Sequence, residues 1–354
     1  MNIDLSALVR PNIRRLQPYA SARSEFSGQA EVYLDANENP FASVGIEENY
    51  ARYPDPLQKA VKEALSQQTG LRPTQIFLGN GSDEGIDLLM RIFCQPTQDK
   101  VLIMPPTYGM YQVCADINEV AVCRVPLRDD FQIDTERVLE VARQEVVKII
   151  FICSPNNPTG NRMKPEAVLH ILENFSGLVA IDEAYIDFCP EATFLPHLAK
   201  HNNLLIFRTF SKAWGLAGLR LGITFAHSDL ISLYNRVKPP YNISAFAQQA
   251  ALKALKALPA KEQLVQDILA ARADLFAALQ RFSPSVRVYP SDTNFVFAQV
   301  QGATEIYKNL LEQGIIVRNQ AKVFENALRI TVGTPQENTR LVQALSQWLT
   351  HLQV

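Results

Sequence analysis

Residues 178–182 and 204–213 read LVAID and LLIFRTFSKA, and these two segments decide the predicted fold. Each begins with a run of large apolar residues, which is typical of a strand buried on both faces of a parallel sheet. Asp182 closes the first run, and Lys212 follows the second. In open α/β sheets the ligand site lies just beyond the carboxyl ends of the strands. The two side chains are therefore predicted to face one small molecule.

An amine and a carboxylate at such a position suit pyridoxal phosphate. Lys212 can form a Schiff base with the cofactor aldehyde, and Asp182 can keep the pyridine nitrogen protonated so that the ring acts as an electron sink. Taken alone, neither residue indicates a cofactor, since a lysine at a strand end is usually solvated and an aspartate there often caps a helix. The neighbouring motifs favour the cofactor site.

Two segments could bind the phosphate of such a cofactor. Near the lysine, two hydroxyls and a guanidinium are supplied by Thr209, Ser211 and Arg220. Arginine binds phosphate through paired hydrogen bonds. Upstream, Gly81, Ser82 and Asp83 join a predicted strand to a predicted helix, and the free N–H groups of a helix N-terminus bind anions. The chain has neither Gly-x-Gly-x-x-Gly nor a Walker lysine, which argues against dinucleotides and nucleoside triphosphates.

Three further side chains at predicted strand ends suit the ring of the cofactor. Tyr108 follows the apolar run 101–104, and an aromatic side chain there can stack on a pyridine ring. Asn157 and Tyr185 can each donate a hydrogen bond to the phenolate oxygen. Stabilising that anion lowers the pKa of the Schiff base and keeps it reactive near neutral pH.

These motifs resemble those of the class I/II aminotransferases, within the fold-type I pyridoxal-phosphate superfamily. The segments that carry the resemblance are SPNNPTG at 154–160, DEAY at 182–185, SKA at 211–213 and AGLR at 217–220. Other segments resemble the branch of that family that acts on histidinol phosphate: LDANENP at 34–40, RYPD at 52–55, GSDE at 81–84, PPTY at 105–108 and LRITVG at 328–333. The resemblance covers residues 10–350.

The resemblance implies a reaction and the residues that bind its substrates. It implies amino transfer between L-histidinol phosphate and 2-oxoglutarate, giving imidazole acetol phosphate and L-glutamate, with Lys212 moving the proton. Arg329 would grip the anionic head of the substrate, Arg318 would be a second arginine for a phosphate, and Tyr19 would contact the substrate. Tyr53 would reach the cofactor phosphate of a neighbouring subunit, which implies a homodimer.

Alternative functions remain open at this point. A pyridoxal-phosphate decarboxylase of a phosphorylated amino acid would use the same lysine, aspartate and arginines. An aminotransferase for aromatic or branched amino acids is another alternative. A non-enzymatic regulator of this fold needs an appended DNA-binding region. Residues 1–45 are too short, and too poor in helical or basic pattern, to supply one.

Composition limits the partners and the compartment. The net charge of −2 provides no field for nucleic acid, and no zinc-ligand spacing is evident, so no metal is expected. No apolar stretch reaches the length of a membrane span, and the first residues lack a signal-peptide pattern. The five cysteines are scattered and odd in number, which indicates reduced thiols. We therefore expect a cytoplasmic protein with small-molecule substrates.

The length of 354 residues predicts two domains. Alternating strand and helix patterns predict an α/β large domain over 46–260, with a mostly parallel sheet flanked by helices. A smaller α+β domain is predicted over 261–354, and residues 1–45 are expected to form an arm that contributes to small-domain and dimer contacts. The clearest strand patterns lie at 76–80, 101–104, 147–153, 178–182, 204–208 and 221–226. Pro259 is expected to separate two long helices.

Overall fold

The computed structural model describes residues 3–19, 32–46 and 50–351. These residues form a seven-stranded sheet and a four-stranded sheet. The part of the chain built on the first sheet is called the large domain and the part built on the second the small domain, and the predicted domain bounds stay a prediction. The large sheet contains β1 (Ile76–Asn80), β2 (Lys100–Ile103), β3 (Ala121–Arg124), β4 (Val147–Cys153), β5 (Leu178–Asp182), β6 (Leu204–Thr209) and β7 (Leu221–Ala226). The small sheet contains β8 (Val286–Tyr289), β9 (Phe295–Val300), β10 (Arg318–Asn319) and β11 (Ala327–Thr331).

The large sheet is mostly parallel, in the order β1-β7-β6-β5-β4-β2-β3. Only β7 runs against its two neighbours. The prediction of a mostly parallel sheet flanked by helices is therefore confirmed. Cys153 pairs with Asp182, and Asp182 pairs with Phe207, so β4, β5 and β6 end side by side. This register brings the segments that follow the three strands to one edge.

Helices cover the large sheet and complete the small domain. Those up to residue 237 are α1 (Leu5–Leu8), α2 (Pro11–Arg14), α3 (Lys59–Thr69), α4 (Gly81–Phe93), α5 (Met110–Ile117), α6 (Thr135–Gln144), α7 (Pro165–Asn174) and α8 (Ser228–Val237). The later ones are α9 (Ala245–Lys256), α10 (Leu258–Gln280), α11 (Ala303–Glu312) and α12 (Pro335–His351). No helix among the described residues is long and apolar enough to cross a membrane.

Both faces of the large sheet are buried. Ile150 and Ile152 of β4 belong to one apolar cluster, whereas Ile149 and Phe151 belong to another. Successive side chains of a strand point to opposite faces, so the two clusters lie on the two sides of the sheet. Burial on both faces is why the central strands are continuous apolar runs in the sequence.

The described start of the chain packs on the large domain. Leu5, Val9 and Ile13 join the apolar cluster that contains Phe151, and the Arg10 N–H donates to the Ile92 carbonyl at 3.0 Å. Part of the predicted arm, residues 20–31, lies outside the described residues. The predicted contacts of residues 1–45 with the small domain and a second subunit stay a prediction.

The small domain has an antiparallel sheet in the order β10-β11-β9-β8. Its apolar core includes Leu275 and Leu279 of α10 and Ile306 of α11. Pro259 lies in the first turn of α10, directly after α9 ends. Proline is tolerated there because the first N–H groups of a helix have no intrahelical partner.

Candidate active site

A cavity of about 180 Å³ lies at the carboxyl edge of the large sheet, beside β11 of the small domain. Its lining is formed by Gly81, Ser82, Asp83, Tyr108, Cys153, Asn157, Asp182, Ala184, Tyr185, Thr209, Ser211, Lys212, Arg220 and Arg329. These include every predicted cofactor-binding residue except Tyr53, and one predicted substrate-binding residue, Arg329. Residues from seven separate stretches of the chain thus surround one space.

Asp182 is the buried carboxylate of this cavity. It ends β5 and is 3% exposed. Its Oδ1 accepts a hydrogen bond from the Ala184 N–H at 3.0 Å, and its Oδ2 accepts one from the Tyr111 hydroxyl at 2.9 Å. Burial raises the pKa of Asp182 to about 6, while the Tyr111 hydrogen bond acts in the opposite direction. The carboxyl group is therefore mostly ionised at neutral pH.

Lys212 is the amine of the cavity and lies in the turn between β6 and β7. Its carbonyl accepts the Gly215 N–H at 3.0 Å, which closes the turn. Its Nζ lies 5.6 Å from the centroid of the Tyr185 ring. Burial and then the charge of Arg329 lower the pKa of Lys212, against the attraction of Asp182. A lowered pKa increases the fraction of neutral amine, which is the nucleophilic form.

The N-terminus of α4 lies at one end of the cavity and, with Arg220, forms a recess that could hold an anion, here called the anion cradle. Gly81 has a φ of +72° and donates its N–H to the Arg220 carbonyl at 2.7 Å. A Cβ on Gly81 would lie 2.6 Å from Arg220 Nη2, so glycine keeps the space beside the guanidinium open. A Cβ on Gly222 would lie 2.3 Å from the Ser82 nitrogen, so β7 touches the start of the helix. The first N–H groups of α4 lack intrahelical acceptors.

Two hydroxyls lie beside this cradle. The Thr209 hydroxyl donates to Ser211 Oγ at 2.9 Å and accepts from the Ser211 N–H at 3.0 Å. Arg220 Nη2 is 3.5 Å from Asp83 Oδ2 at the mouth of the cradle. Hydroxyls, helix N–H groups and a guanidinium are the groups that bind a phosphate dianion.

The opposite end of the cavity joins the two domains. Asn157 Nδ2 donates to the Tyr185 hydroxyl oxygen at 3.4 Å, and Asn157 Oδ1 accepts from Arg329 Nη1. Burial raises the pKa of Tyr185, so its phenol stays protonated and can donate a hydrogen bond. The Arg329 guanidinium also lies 5.3 Å from the centroid of the Phe295 ring. Burial lowers the pKa of Arg329, which indicates a cation that an anionic ligand would stabilise.

Three predicted site residues lie outside the lining of this cavity. Arg318 is exposed and pairs in register with Arg329 across β10 and β11. Tyr19 is 78% exposed. Tyr53 is half-exposed and stacks on Tyr241, with ring centroids 4.4 Å apart. The predicted roles of these three residues stay predictions.

Three residues of the site were not identified from the sequence: Tyr111, Cys153 and Ala184. Tyr111 lies in α5, and Tyr108 lies just before that helix. No local pattern in the sequence links Tyr111 to Asp182, which is 71 positions away. Cys153 is buried and also contributes to the cavity wall. Among the described residues, no cluster of histidine, cysteine, aspartate and glutamate could hold a metal ion.

Comparisons with known proteins agree with this geometry. Residues 24–345 match the family model described as aminotransferase class I and II. The chain is 46% identical over 350 residues to a histidinol-phosphate aminotransferase of Cytophaga hutchinsonii, covering 98% of this chain and 100% of that protein.

Two solved structures share the fold. The histidinol-phosphate aminotransferase of Clostridium acetobutylicum superposes with a TM-score of 0.79 at 25% identity, covering 85% of this chain and 92% of that one. That of Sinorhizobium meliloti, solved in complex with pyridoxal-5'-phosphate, has a TM-score of 0.79 at 24% identity, covering 86% of this chain and 84% of that one.

Proposed function

Because this chain belongs to the class I and II aminotransferase family, we propose that it transfers an amino group between L-histidinol phosphate and 2-oxoglutarate, with pyridoxal phosphate as cofactor. A relative that matches over almost the full length of both chains carries the corresponding name. The observation that carries the proposal is the cavity itself. One amine, one buried carboxylate, an anion cradle and a small-domain arginine surround the same space.

The residues of the cavity fit the cofactor at each of its functional groups. Its phosphate suits the cradle at the start of α4, where glycine at position 81 leaves room beside Arg220. Asp182 would pair with the ring nitrogen, and Asn157 and Tyr185 would donate to the phenolate oxygen. Lys212 would attach the cofactor covalently. When bound, pyridoxal phosphate supplies an electron sink for the bonds to the substrate Cα.

Lys212 would have a second role when an amino substrate is bound. As a free amine it would carry the proton between the substrate Cα and the C4′ atom of the cofactor. Its lowered pKa supports this task, since a neutral amine can accept the proton. Asp182 would keep the ring nitrogen protonated throughout, because a mostly ionised carboxylate stabilises that charge.

The small domain would select an anionic substrate. Arg329 is partly buried, and the side-chain hydrogen bond it makes to Asn157 leaves most of its donors free for a ligand. Arg318 lies directly opposite on the neighbouring strand. Two guanidiniums suit a phosphate dianion better than one carboxylate, and the side-chain carboxylate of glutamate could use the same pair.

A substrate panel tests this proposal. The purified protein with pyridoxal phosphate is mixed separately with histidinol phosphate, histidine, phenylalanine and phosphothreonine, and cofactor absorbance is followed in single turnovers. The second-order rate constant for histidinol phosphate should exceed those for histidine and phenylalanine by on the order of 10²-fold, if one charge-assisted contact to the phosphate accounts for the difference. A faster reaction with phenylalanine would point to an aromatic aminotransferase. Release of carbon dioxide from phosphothreonine would point to the decarboxylase alternative.

We further propose a cytoplasmic homodimer in which Tyr53 contacts the cofactor phosphate of the neighbouring subunit. The half-exposed phenol of Tyr53, stacked on Tyr241 and outside the lining of its own cavity, supports this role. Mixing inactive Lys212→Ala protein with Tyr53→Ala protein tests it. A hybrid dimer would contain one site with both residues, so activity should return on mixing. Additive activities with no recovery would contradict the shared site.

A further inference from the structure

Tyr111 is a fully buried aromatic residue on the wall of the large domain. Its ring stacks on Phe151 with centroids 4.9 Å apart and planes 15° apart. It also meets the Tyr108 ring edge to face, with centroids 5.6 Å apart. Two aromatic contacts in different directions fix the plane of the ring, and therefore the place of its hydroxyl.

The hydroxyl of Tyr111 is aimed at Asp182. It donates to Oδ2 at 2.9 Å, while the Ala184 N–H donates to Oδ1 at 3.0 Å. Each carboxylate oxygen thus has one fixed donor, and the carboxylate still lines the cavity. A carboxylate held at both oxygens has one orientation toward a ligand.

A packing role alone does not account for this hydroxyl. Phenylalanine would make the same ring contacts, and a buried hydroxyl is costly unless it has a partner. Here the partner is the buried carboxylate of the cavity. Burial also raises the pKa of Tyr111 well above its ordinary value, so the phenol remains a neutral donor.

We propose that Tyr111 is a positioning residue that, through its hydroxyl, fixes the orientation and the negative charge of the Asp182 carboxylate toward the ring nitrogen of the cofactor. This inference rests on the proposed function. It assigns to Tyr111 no contact with the reacting atoms.

Other titratable groups also face Asp182 and influence its pKa. They are Asp83 on α4, Tyr108 before α5, Cys153 on β4, Tyr185 after β5 and Lys212 after β6. Lys212 favours the ionised carboxylate, and Asp83 disfavours it. Removal of the Tyr111 hydroxyl leaves all these groups in place.

Loss of that hydroxyl should raise the pKa of Asp182, because a donor to the ionised form stabilises it. Ring-protonated pyridoxal phosphate needs an ionised partner, so its affinity for the apoprotein should fall as the pH drops through the pKa of Asp182, about 6. Tyr111→Phe should move this midpoint up by about one pH unit, and a one-unit shift corresponds to a tenfold change in the protonation equilibrium.

The test measures the affinity of the apoprotein for pyridoxal phosphate by absorbance over a range of pH, with no substrate present. Tyr234→Phe is the matched control. Tyr234 is also fully buried, and its hydroxyl donates to the Gly85 carbonyl at 2.9 Å instead of to Asp182. Tyr111→Phe should shift the midpoint upward, whereas Tyr234→Phe should not. In an Asp182→Asn background, Tyr111→Phe should produce no shift.

A second substitution gives the opposite sign. 3-Fluorotyrosine at position 111 keeps the ring and is a stronger hydrogen-bond donor than tyrosine. It should therefore lower the pH midpoint of the affinity for pyridoxal phosphate. This protein can be used for the test if Tyr111→Phe does not fold. Midpoints equal to that of the wild type in both substituted proteins would overturn the inference while leaving the proposed function intact. Failure of the wild-type protein to bind pyridoxal phosphate would instead overturn the proposed function.

Discussion

Two groups of predicted site residues are positioned by different parts of the fold. The inner residues are Asp182, Asn157 and Lys212, and the outer residues are Tyr53 and Arg318. Asp182 ends β5, and Asn157 and Lys212 follow β4 and β6, so the register of these three neighbouring strands brings the residues together. Tyr53 and Arg318 depend on segments outside that sheet, and neither lines the cavity. The register of a parallel sheet thus places the inner residues, whereas the proposed roles of Tyr53 and Arg318 depend on parts of the structure outside that sheet.

We expect substitutions of the residues that follow the large sheet to abolish turnover, and substitutions of the residues outside it to alter selectivity. Lys212→Ala should have the largest effect, since it would remove both the proposed covalent attachment and the proposed proton carrier. Its turnover should fall by more than about 10⁴-fold. Circular dichroism should show an intact fold, because Lys212 lies in a turn and not in an apolar core. Turnover within tenfold of the wild type would remove Lys212 from the mechanism.

Asp182→Asn should have the next largest effect. Without the carboxylate the ring nitrogen loses its charged partner, and kcat/KM should fall on the order of 10³-fold, about 4 kcal/mol of transition-state stabilisation. Asp187→Asn is the matched control, because Asp187 follows the same strand but pairs with Lys261 at 2.7 Å. Equal losses in the two variants would reduce Asp182 to a structural role.

The two arginines should separate turnover from selectivity. Arg329→Ala should lower kcat/KM for all anionic substrates, because its guanidinium lines the cavity. Arg318→Ala should reduce the preference for histidinol phosphate over histidine by about tenfold, the lower range for one charge-assisted hydrogen bond. Steady-state kinetics with both substrates measures this. If Arg318→Ala lowered kcat/KM equally for histidine and histidinol phosphate, Arg318 would have no role in selectivity.

Asp182→Asn should have a smaller, favourable effect on the stability of the apoprotein. The pKa of Asp182 is raised in the folded protein from 3.8 to about 6, so folding binds the proton more tightly. Stability contributed by this group is therefore fully present below pH 3.8 and is lost as the pH rises through about 6. Asp182→Asn should stabilise the apoprotein at higher pH by on the order of 2–3 kcal/mol.

Urea unfolding of both apoproteins on either side of that interval measures the difference. The gain of the variant should grow as the pH rises. A variant less stable than the wild type at every pH would mean that the lost carboxylate hydrogen bonds outweigh the relief of burying a charge.

The central strands and the residues at their ends could be predicted from the sequence, whereas the edge strands and the long-range contacts could not. Long apolar runs in the sequence identify the central strands. The residues at the carboxyl ends of these runs are the inner residues, because neighbouring parallel strands end at the same edge of the sheet. The strand β3 was missed because it lies at the edge, is half-exposed and has only four residues. β8 was missed for a similar reason, since two charged or polar-tipped side chains alternate with its two valines. Tyr111 reaches Asp182 across 71 positions, and no local pattern encodes that pairing.

Borohydride reduction identifies the lysine that carries the cofactor, which we propose is Lys212. The purified protein is loaded with pyridoxal phosphate, reduced, digested and mapped by mass spectrometry, with Lys212→Ala protein treated in parallel. We expect a pyridoxyl group on Lys212 in the wild type and none at position 212 in the variant. A pyridoxyl group on another lysine, with Lys212 unlabelled, would contradict it.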